Sequence, residues 1–245
     1  MWRIWVLGLA VWAGQAPLRI VVNIPAYRLE AVTGDSVVRT VMLAPGMARY
    51  PTPRGSFAIT SVEWNPWWIP PNSPWAAREH PTAPGPTNPM GRVKLNFQPF
   101  YFLHGTPSVQ SIGTAASHGC VRMANCDAIA VAQLVLRSGG TSLTDDEIER
   151  LGDDTIHTRL IELRTPVPLD IRYELAEVRD RRLIVYRDIY GLATRSRLAD
   201  AYGALLGAGI DTATVDRARM RRLVTAIKQS GSSIPLDSLR AMAPR

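Results

Sequence analysis

Eight prolines and four tryptophans crowd into residues 64–91 of a 245-residue chain. Proline lacks the N–H that a β-ladder or a helix interior needs, so no regular element can run through this stretch. It must form a long, stiff loop, and any sheet has to be assembled from the chain on either side of it. Trp64, Trp67, Trp68 and Trp75 give the loop flat apolar surface. Such a surface serves either as a lid over a groove or as a small satellite core, and the sequence supports both readings.

The flanking chain is rich in short β-branched runs. Leu18–Asn23 and Val37–Leu43 read as strands, with a turn signal at Gly34-Asp35 between them. Ser56–Thr60 follows the Pro53-Arg54-Gly55 turn. Arg92–Phe97, a Gln98-Pro99 turn and Phe100–His104 predict a hairpin whose second strand ends at His104. Pro166–Glu174 and Arg182–Arg187 read as two further strands. Residues 127–137 form a helix with Ile129, Ala132 and Leu136 inward, capped by Asn125 or Asp127. Thr144-Asp145-Asp146-Glu147 is a capping box opening an acidic helix. Beyond Gly191 residues 197–206 and 213–229 predict a helical hairpin broken at Gly207-Ala208-Gly209, placing a domain boundary near 191.

Hydrophobic residues make up 46% of the chain and charged ones 20%, enough for a packed core. The net charge of +7 is uneven: +6 over residues 1–140, −4 over 141–190 and +5 over 191–245. The basic regions suit an anionic partner such as a cell wall or membrane surface. Nucleic acid is disfavoured, because neither a recognition module nor interleaved basic and stacking aromatic residues is present. The runs Arg179–Arg182 and Arg217–Arg222 read as solvated faces. Residues 1–16, MWRIWVLGLAVWAGQA, combine a basic start, a ten-residue apolar run and small residues before a cut. This is the pattern of a secretory signal, too short to span a bilayer; the other reading is a first core strand. No other stretch is apolar enough to cross a membrane.

The chemistry concentrates in two places. Phe100–Thr106 reads FYFLHGT, and Ser117–Met123 reads SHGCVRM, in a chain with only four histidines and two cysteines. A free thiol is mostly protonated at neutral pH and needs a base or a positive charge nearby to become a nucleophile. His104 lies on a separate strand from Cys120 and is able to face it, with the Gly105 carbonyl available to hold its other ring nitrogen. His118 sits two residues before Cys120, and Gly119 between them offers a bend whose N–H can bind an oxyanion. A zinc site from His104, His118 and Cys120 matches none of the common ligand spacings. A Cys120–Cys126 disulfide would consume the candidate nucleophile. Cys126 reads as a buried, inert core residue.

The HGT…SHGCVRM set resembles the active-site signature of the L,D-transpeptidases of the YkuD family, also called ErfK/YbiS/YcfS/YnhG. Val22–Leu29 is similar to that family's opening strand, Thr52–Phe57 to its TPxGxF turn, and Pro84–Gly91 to its PGPxNPLG segment, with Met90 for Leu. The segment from Thr165 to Gly191 resembles the end of the longer members' catalytic domain. The resemblance covers residues 18–191 and leaves 192–245 uncovered. It implies a mostly-β sandwich with one packed helix, an acidic helical insertion and a C-terminal helical extension. The implied organisation is a signal peptide over 1–16, a catalytic domain over 17–191 and the extension over 192–245. Cys120 would be the nucleophile and His104 its proton acceptor and donor. The Gly105 carbonyl would orient His104, His118 and Gly119 would shape the oxyanion site, and Arg122 and Ser117 would contact substrate. The implied substrates are peptidoglycan stem tetrapeptides: attack on the third residue's carbonyl releases D-alanine, and the thioester passes to an amine of another stem, a protein or an amino acid. No metal or organic cofactor is implied, and the implied location is the wall side of a bacterial inner membrane. Two other functions stay open, an L,D-carboxypeptidase or amidase that gives the same thioester to water, and a non-enzymatic wall-binding protein.

Overall fold

A computed structural model describes residues 16–227 and 231–240. The secretory leader falls almost wholly outside them. Eight strands close into a barrel: β1 (Leu18–Asn23), β2 (Arg28–Thr33), β3 (Ser36–Ala44), β4 (Gly55–Trp64), β5 (Val93–Gln98), β6 (Tyr101–Thr106), β7 (Val121–Ala124) and β8 (Arg159–Arg172). Their order around the barrel is β1-β2-β3-β7-β6-β5-β4-β8, and β8 closes on β1 in parallel. The expected β-rich domain is therefore present, with its sheets joined into one ring rather than left as two faces.

Strand alternation explains which side is inside. Leu95, Leu103, Val121 and Met123 are fully buried in one core with Ile20, Leu29, Leu43, Val62 and Leu169. Helix α1 (Asn125–Gly139) buries Ala128, Val131, Ala132, Val135 and Leu136, the i, i+3, i+4 stripe of an amphipathic helix, against β5, β6 and β8. Truncating Leu136 to Ala there costs about 2–5 kcal/mol. The cap expectation is corrected: Ala124 occupies the N-cap without a side-chain bond. Asn125 instead turns its Oδ1 to the Arg92 amide at 3.0 Å, tying the helix start to β5. The short acidic helix α2 (Asp145–Arg150) does open on the Thr144–Glu147 capping box.

Among the elements that differ from expectation, two have a local backbone cause. Strand β2 is absent from the sequence reading because its entry turn carries no glycine; Tyr27 adopts φ 51° there, and its amide donates to Ile24 O at 3.0 Å. The Gly34-Asp35 turn joins β2 to β3. Strand β8 starts seven residues before Pro166, which falls where a register shift near Ile59 and Ser61 breaks the ladder to β4, while Pro168 stands opposite Ala58.

Downstream lies a second core. Strands β9 (Ala176–Arg179), β10 (Arg182–Val185) and β11 (Ser232–Pro235) form a separate sheet in the order β11-β10-β9. Helices α3 (Arg197–Gly207) and α4 (Arg217–Thr225), capped by Ser196 and Asp216, pack on it. Leu183 and Val185 share a cluster with Ala201, Leu205, Met220 and Leu223. The second core thus draws on residues upstream of 191 as well as the helices beyond it, because a two-helix hairpin needs a sheet to bury its apolar stripe. At the seam with the barrel, Arg28 pairs with Glu177 at 2.6 Å, and Glu177 also accepts from the Tyr186 hydroxyl.

Candidate active site

The register between β6 and β7 builds the site. His104 stands opposite Arg122 and Leu103 opposite Val121 in a parallel ladder. Leu103 and Val121 point into the core, so His104 and Arg122 share the outer face, together with Phe102. On the other side of β6, Lys94 pairs with His104. The outer face therefore carries a row of Lys94, His104 and Arg122, with Cys120 two residues before Arg122, one position outside the ladder. The β5–β6 register shifts between Asn96 and Gln98, where Phe97 is the extra residue, and this leaves Lys94 opposite His104; Phe100 turns the hairpin at φ 67°.

His104 is buried, and its Nδ1 lies 2.6 Å from the Gly105 carbonyl. A carbonyl oxygen only accepts, so Nδ1 carries the proton and Nε2 of the neutral ring is left with its lone pair. Burial lowers the His104 pKa to about 4, with the Arg122 and Lys94 charges adding to the effect, while the carbonyls of Gly105 and Met90 favour the charged ring. Burial pushes the Cys120 thiol up to about 11, against a hydrogen bond from the Phe102 amide and the charges of Arg122 and Lys94. Its Sγ lies 3.6 Å from the Phe100 carbonyl. Both shifts favour the neutral forms in the resting site, a thiol and an imidazole, over a thiolate–imidazolium pair.

Gly119 has φ 113°, and a Cβ there would come within 2.7 Å of the Tyr101 ring, so no other residue fits the bend. The Gly119 amide donates to Ser117 Oγ at 3.0 Å. Ser117 is itself buried, and its hydroxyl also donates to the Cys120 carbonyl. Both findings differ from expectation: Ser117 braces the bend from inside, and the Gly119 N–H is already engaged. Among the described residues nothing accepts from the Cys120 amide. His118 lies face to face with Trp75, ring centroids 3.9 Å apart and planes 7° off parallel, and tilted against Tyr50 at 4.9 Å. The proline-rich loop thus splits its tryptophans. Trp64 and Trp68 are buried, and Trp75 reaches over the site.

Arg122 is half-buried and has no acidic partner among the described residues, whereas Lys94 pairs with Glu63 at 2.5 Å. Cys126 is exposed in the first turn of α1 rather than buried, and both cysteines are unbridged. Lys94, Phe102 and Tyr50 were not singled out from the sequence, and Trp75 was named only as one of four loop tryptophans. Alternation from His104 would have found Phe102, and a correct hairpin register would have found Lys94; nothing local marks Tyr50 or sets Trp75 apart from the other three.

The model of the YkuD family, the L,D-transpeptidase catalytic domain, matches residues 17–168. The chain belongs to this family. The YkuD protein of Bacillus licheniformis is 31% identical over 129 residues, which make up 52% of this chain and 66% of that one. YqjB of Bacillus subtilis is 27% identical over 143 residues, 54% of this chain and 77% of that one. ErfK/SrfK of Salmonella typhimurium is 34% identical over 119 residues, 44% of this chain and 38% of that one. This chain therefore spans slightly less than two thirds of the first of these relatives and little more than a third of the last. Among solved structures, an L,D-transpeptidase from Mycobacterium smegmatis superposes with a TM-score of 0.42 at 16% identity, over 64% of this chain and 59% of that one. The family match ends before the second core begins.

Proposed function

We propose that this protein is a peptidoglycan L,D-transpeptidase working by cysteine acyl transfer. The observation that carries the reading is the outer face of β6 and β7, where a buried, neutral imidazole with its Nδ1 proton fixed by Gly105 shares one strand face with a thiol in a glycine bend. Cys120 Sγ attacks the carbonyl of the third stem residue, and the thiol proton passes to His104 Nε2. The Gly105 and Met90 carbonyls favour the imidazolium that forms. With the Gly119 amide engaged, the Cys120 amide is the oxyanion donor, and His118 and Gly119 set its direction. Collapse breaks the C–N bond, and His104 returns its proton to the departing D-alanine amine. An acceptor amine then attacks the thioester, loses its proton to His104 and releases the thiolate. Arg122, an unpaired half-buried cation beside this row, binds a substrate carboxylate.

We place this chemistry in residues 17–191, with the chain beyond it as an extension. The leader pattern supports export to the wall side of the membrane, and no helix among the described residues is long and apolar enough to cross a bilayer. The test is incubation of the full chain with defined tetrapeptide muropeptides and mass spectrometry of the products. Dimers that have lost one D-alanine are expected. Trimmed monomers alone would assign the thioester to water, and no change would leave a binding role.

A further inference from the structure

The nucleophile bend rests on another loop. Pro45 O accepts from the amides of Ala116 and Ser117 at 3.0 and 3.1 Å, and the Met47 amide donates to Ser117 O at 2.9 Å. Gly46 lies so close beneath the bend that a Cβ there would stand 3.0 Å from the Gly119 Cα. The Pro45–Thr52 loop is closed on itself by the Gly46 amide donating to Thr52 Oγ1 at 2.8 Å. What holds this loop in place comes from far along the chain. The Tyr190 hydroxyl donates to Gly46 O at 2.7 Å and accepts from the Thr52 amide at 3.1 Å. It bonds both ends of the loop at once.

Tyr190 is in turn fixed by Tyr173, which is itself fixed by Asp188. Its amide donates to Tyr173 Oη at 2.7 Å, and its ring stacks on Tyr173 at 5.3 Å. The Tyr173 hydroxyl donates to Asp188 Oδ1 at 2.6 Å. Asp188 also accepts from the Leu192 and Ala193 amides at 3.0 and 2.9 Å, where the chain enters the second core. A continuous chain of hydrogen bonds therefore runs from the start of the C-terminal extension through Asp188, Tyr173 and Tyr190 to the loop beneath Cys120.

We infer that Tyr190 is a positioning residue for the nucleophile bend, and that residues 188–193 act as a strap joining the second core to the active site. The inference rests on the acyl-transfer reading for its kinetic consequence but not for its structural one. Neither Tyr190 nor Tyr173 lies in the catalytic row on β6 and β7, so the hydroxyl acts through Gly46 and Thr52. Truncation after residue 191 is a poor probe, because it would strip Leu183 and Val185 of their cover.

The probe is Tyr190→Phe in the full chain, which keeps the ring and removes both loop bonds. Amide hydrogen exchange should rise in residues 46–52 and 116–120 and stay unchanged across β4 and β5. In muropeptide acyl transfer, kcat should fall about five- to ten-fold, the scale of one or two hydrogen bonds that hold the bend in its reactive position, with KM within about two-fold. Unchanged exchange in both loops overturns the inference, as does faster exchange there with kcat intact, or a uniform rise over the whole barrel. If the wild-type chain transfers no acyl group, the acyl-transfer reading fails and the exchange pattern alone decides the strap. Should Tyr190→Phe fail to fold, Tyr173→Phe removes the hydroxyl between Tyr190 and Asp188 and must produce the same exchange pattern at smaller amplitude, or the inference fails.

Discussion

His104 lies inside a sheet ladder, with Lys94 on one neighbouring strand and Arg122 on the other. Cys120 lies one residue outside that ladder, in a bend held by Ser117 and by a second loop. The proposed base is thus placed by backbone pairing that also builds the barrel. The proposed nucleophile is placed by a relay of side-chain and loop hydrogen bonds. The strand half should tolerate change in the side chain itself and still keep its shape. The loop half should lose alignment when any brace is removed, even at a distance. Catalysis needs both, because a displacement of about 1 Å between reacting groups already costs about a hundred-fold in rate.

The sharpest break in this comparison removes the loop half's reactive atom. Cys120→Ala should abolish acyl transfer and leave the melting temperature within a few degrees of wild type, since it deletes one sulfur from a bend whose hydrogen bonds are otherwise backbone and Ser117. A folded, fully active variant would sink the thiol mechanism. Next comes the strand half. His104→Gln should lower kcat/KM by about 10²–10⁴-fold, the usual worth of a general base. It should also change the acid limb of stability. The folded His104 pKa is about 4, below the unfolded value of about 6.5. The unfolded chain therefore binds the extra proton first, and stability fully present above pH 6.5 is lost as pH falls toward 4, by up to about 3 kcal/mol. Thermal melts between pH 7 and 4 should show a shallower decline in His104→Gln than in wild type. Equal slopes would mean that the ring is not held neutral.

The same division decides how much could be read from the sequence. The Gly105 carbonyl on the His104 ring and the glycine bend beside Cys120 were legible because each is a local feature, although His104 lies inside β6, which runs on to Thr106, and not at its end. Helix α1 and the acidic capping box were legible from periodicity and cap chemistry. The proline-rich loop was legible as a loop, but not the contact of Trp75 with His118, which depends on how the loop folds back. Strand β2 was hidden by a turn made with Tyr27 at positive φ instead of glycine. Ser117 looked like a substrate contact because a hydroxyl beside a catalytic motif carries no sign of its burial. Tyr190 lies 70 residues from Cys120, and no spacing rule links a hydroxyl there to Gly46. The helical tail was visible, yet its dependence on β9 and β10 was not, since a four-residue strand is not marked as belonging to one sheet or another.

A smaller effect should come from the lid. Trp75→Ala removes the ring stacked on His118. The loss should fall on substrate capture and on the orientation of the bend, lowering kcat/KM about ten-fold or less while His104 and its hydrogen bond to Gly105 stay as they are. The acid limb of the stability curve should then match wild type, unlike that of His104→Gln. If Trp75→Ala flattens that limb as well, the two halves are coupled through the loop and the division drawn here is too sharp.

The smallest effect concerns the other cysteine. Cys126 is exposed at the start of α1, six residues from Cys120 and away from the stripe that packs on β5, β6 and β8. Cys126→Ala should leave acyl transfer within about two-fold and stability within about 0.5 kcal/mol, as for surface changes away from special features. Its labelling should differ far more. Iodoacetamide at neutral pH meets an exposed Cys126 and a Cys120 thiol whose pKa burial raises to about 11, so alkylation of wild type should occur first at Cys126. In Cys126→Ala the remaining reaction should be slow near pH 7 and climb well above pH 8.5, where an unperturbed thiol would already be half ionised. A β-lactam of the carbapenem class, which acylates through attack at a carbonyl and so recruits the base and the oxyanion donor, should reverse the order and mark Cys120 alone. Fast iodoacetamide labelling of Cys120 at pH 6 in the Cys126→Ala background would instead show a preformed thiolate, and the loop half would then be charged before substrate arrives.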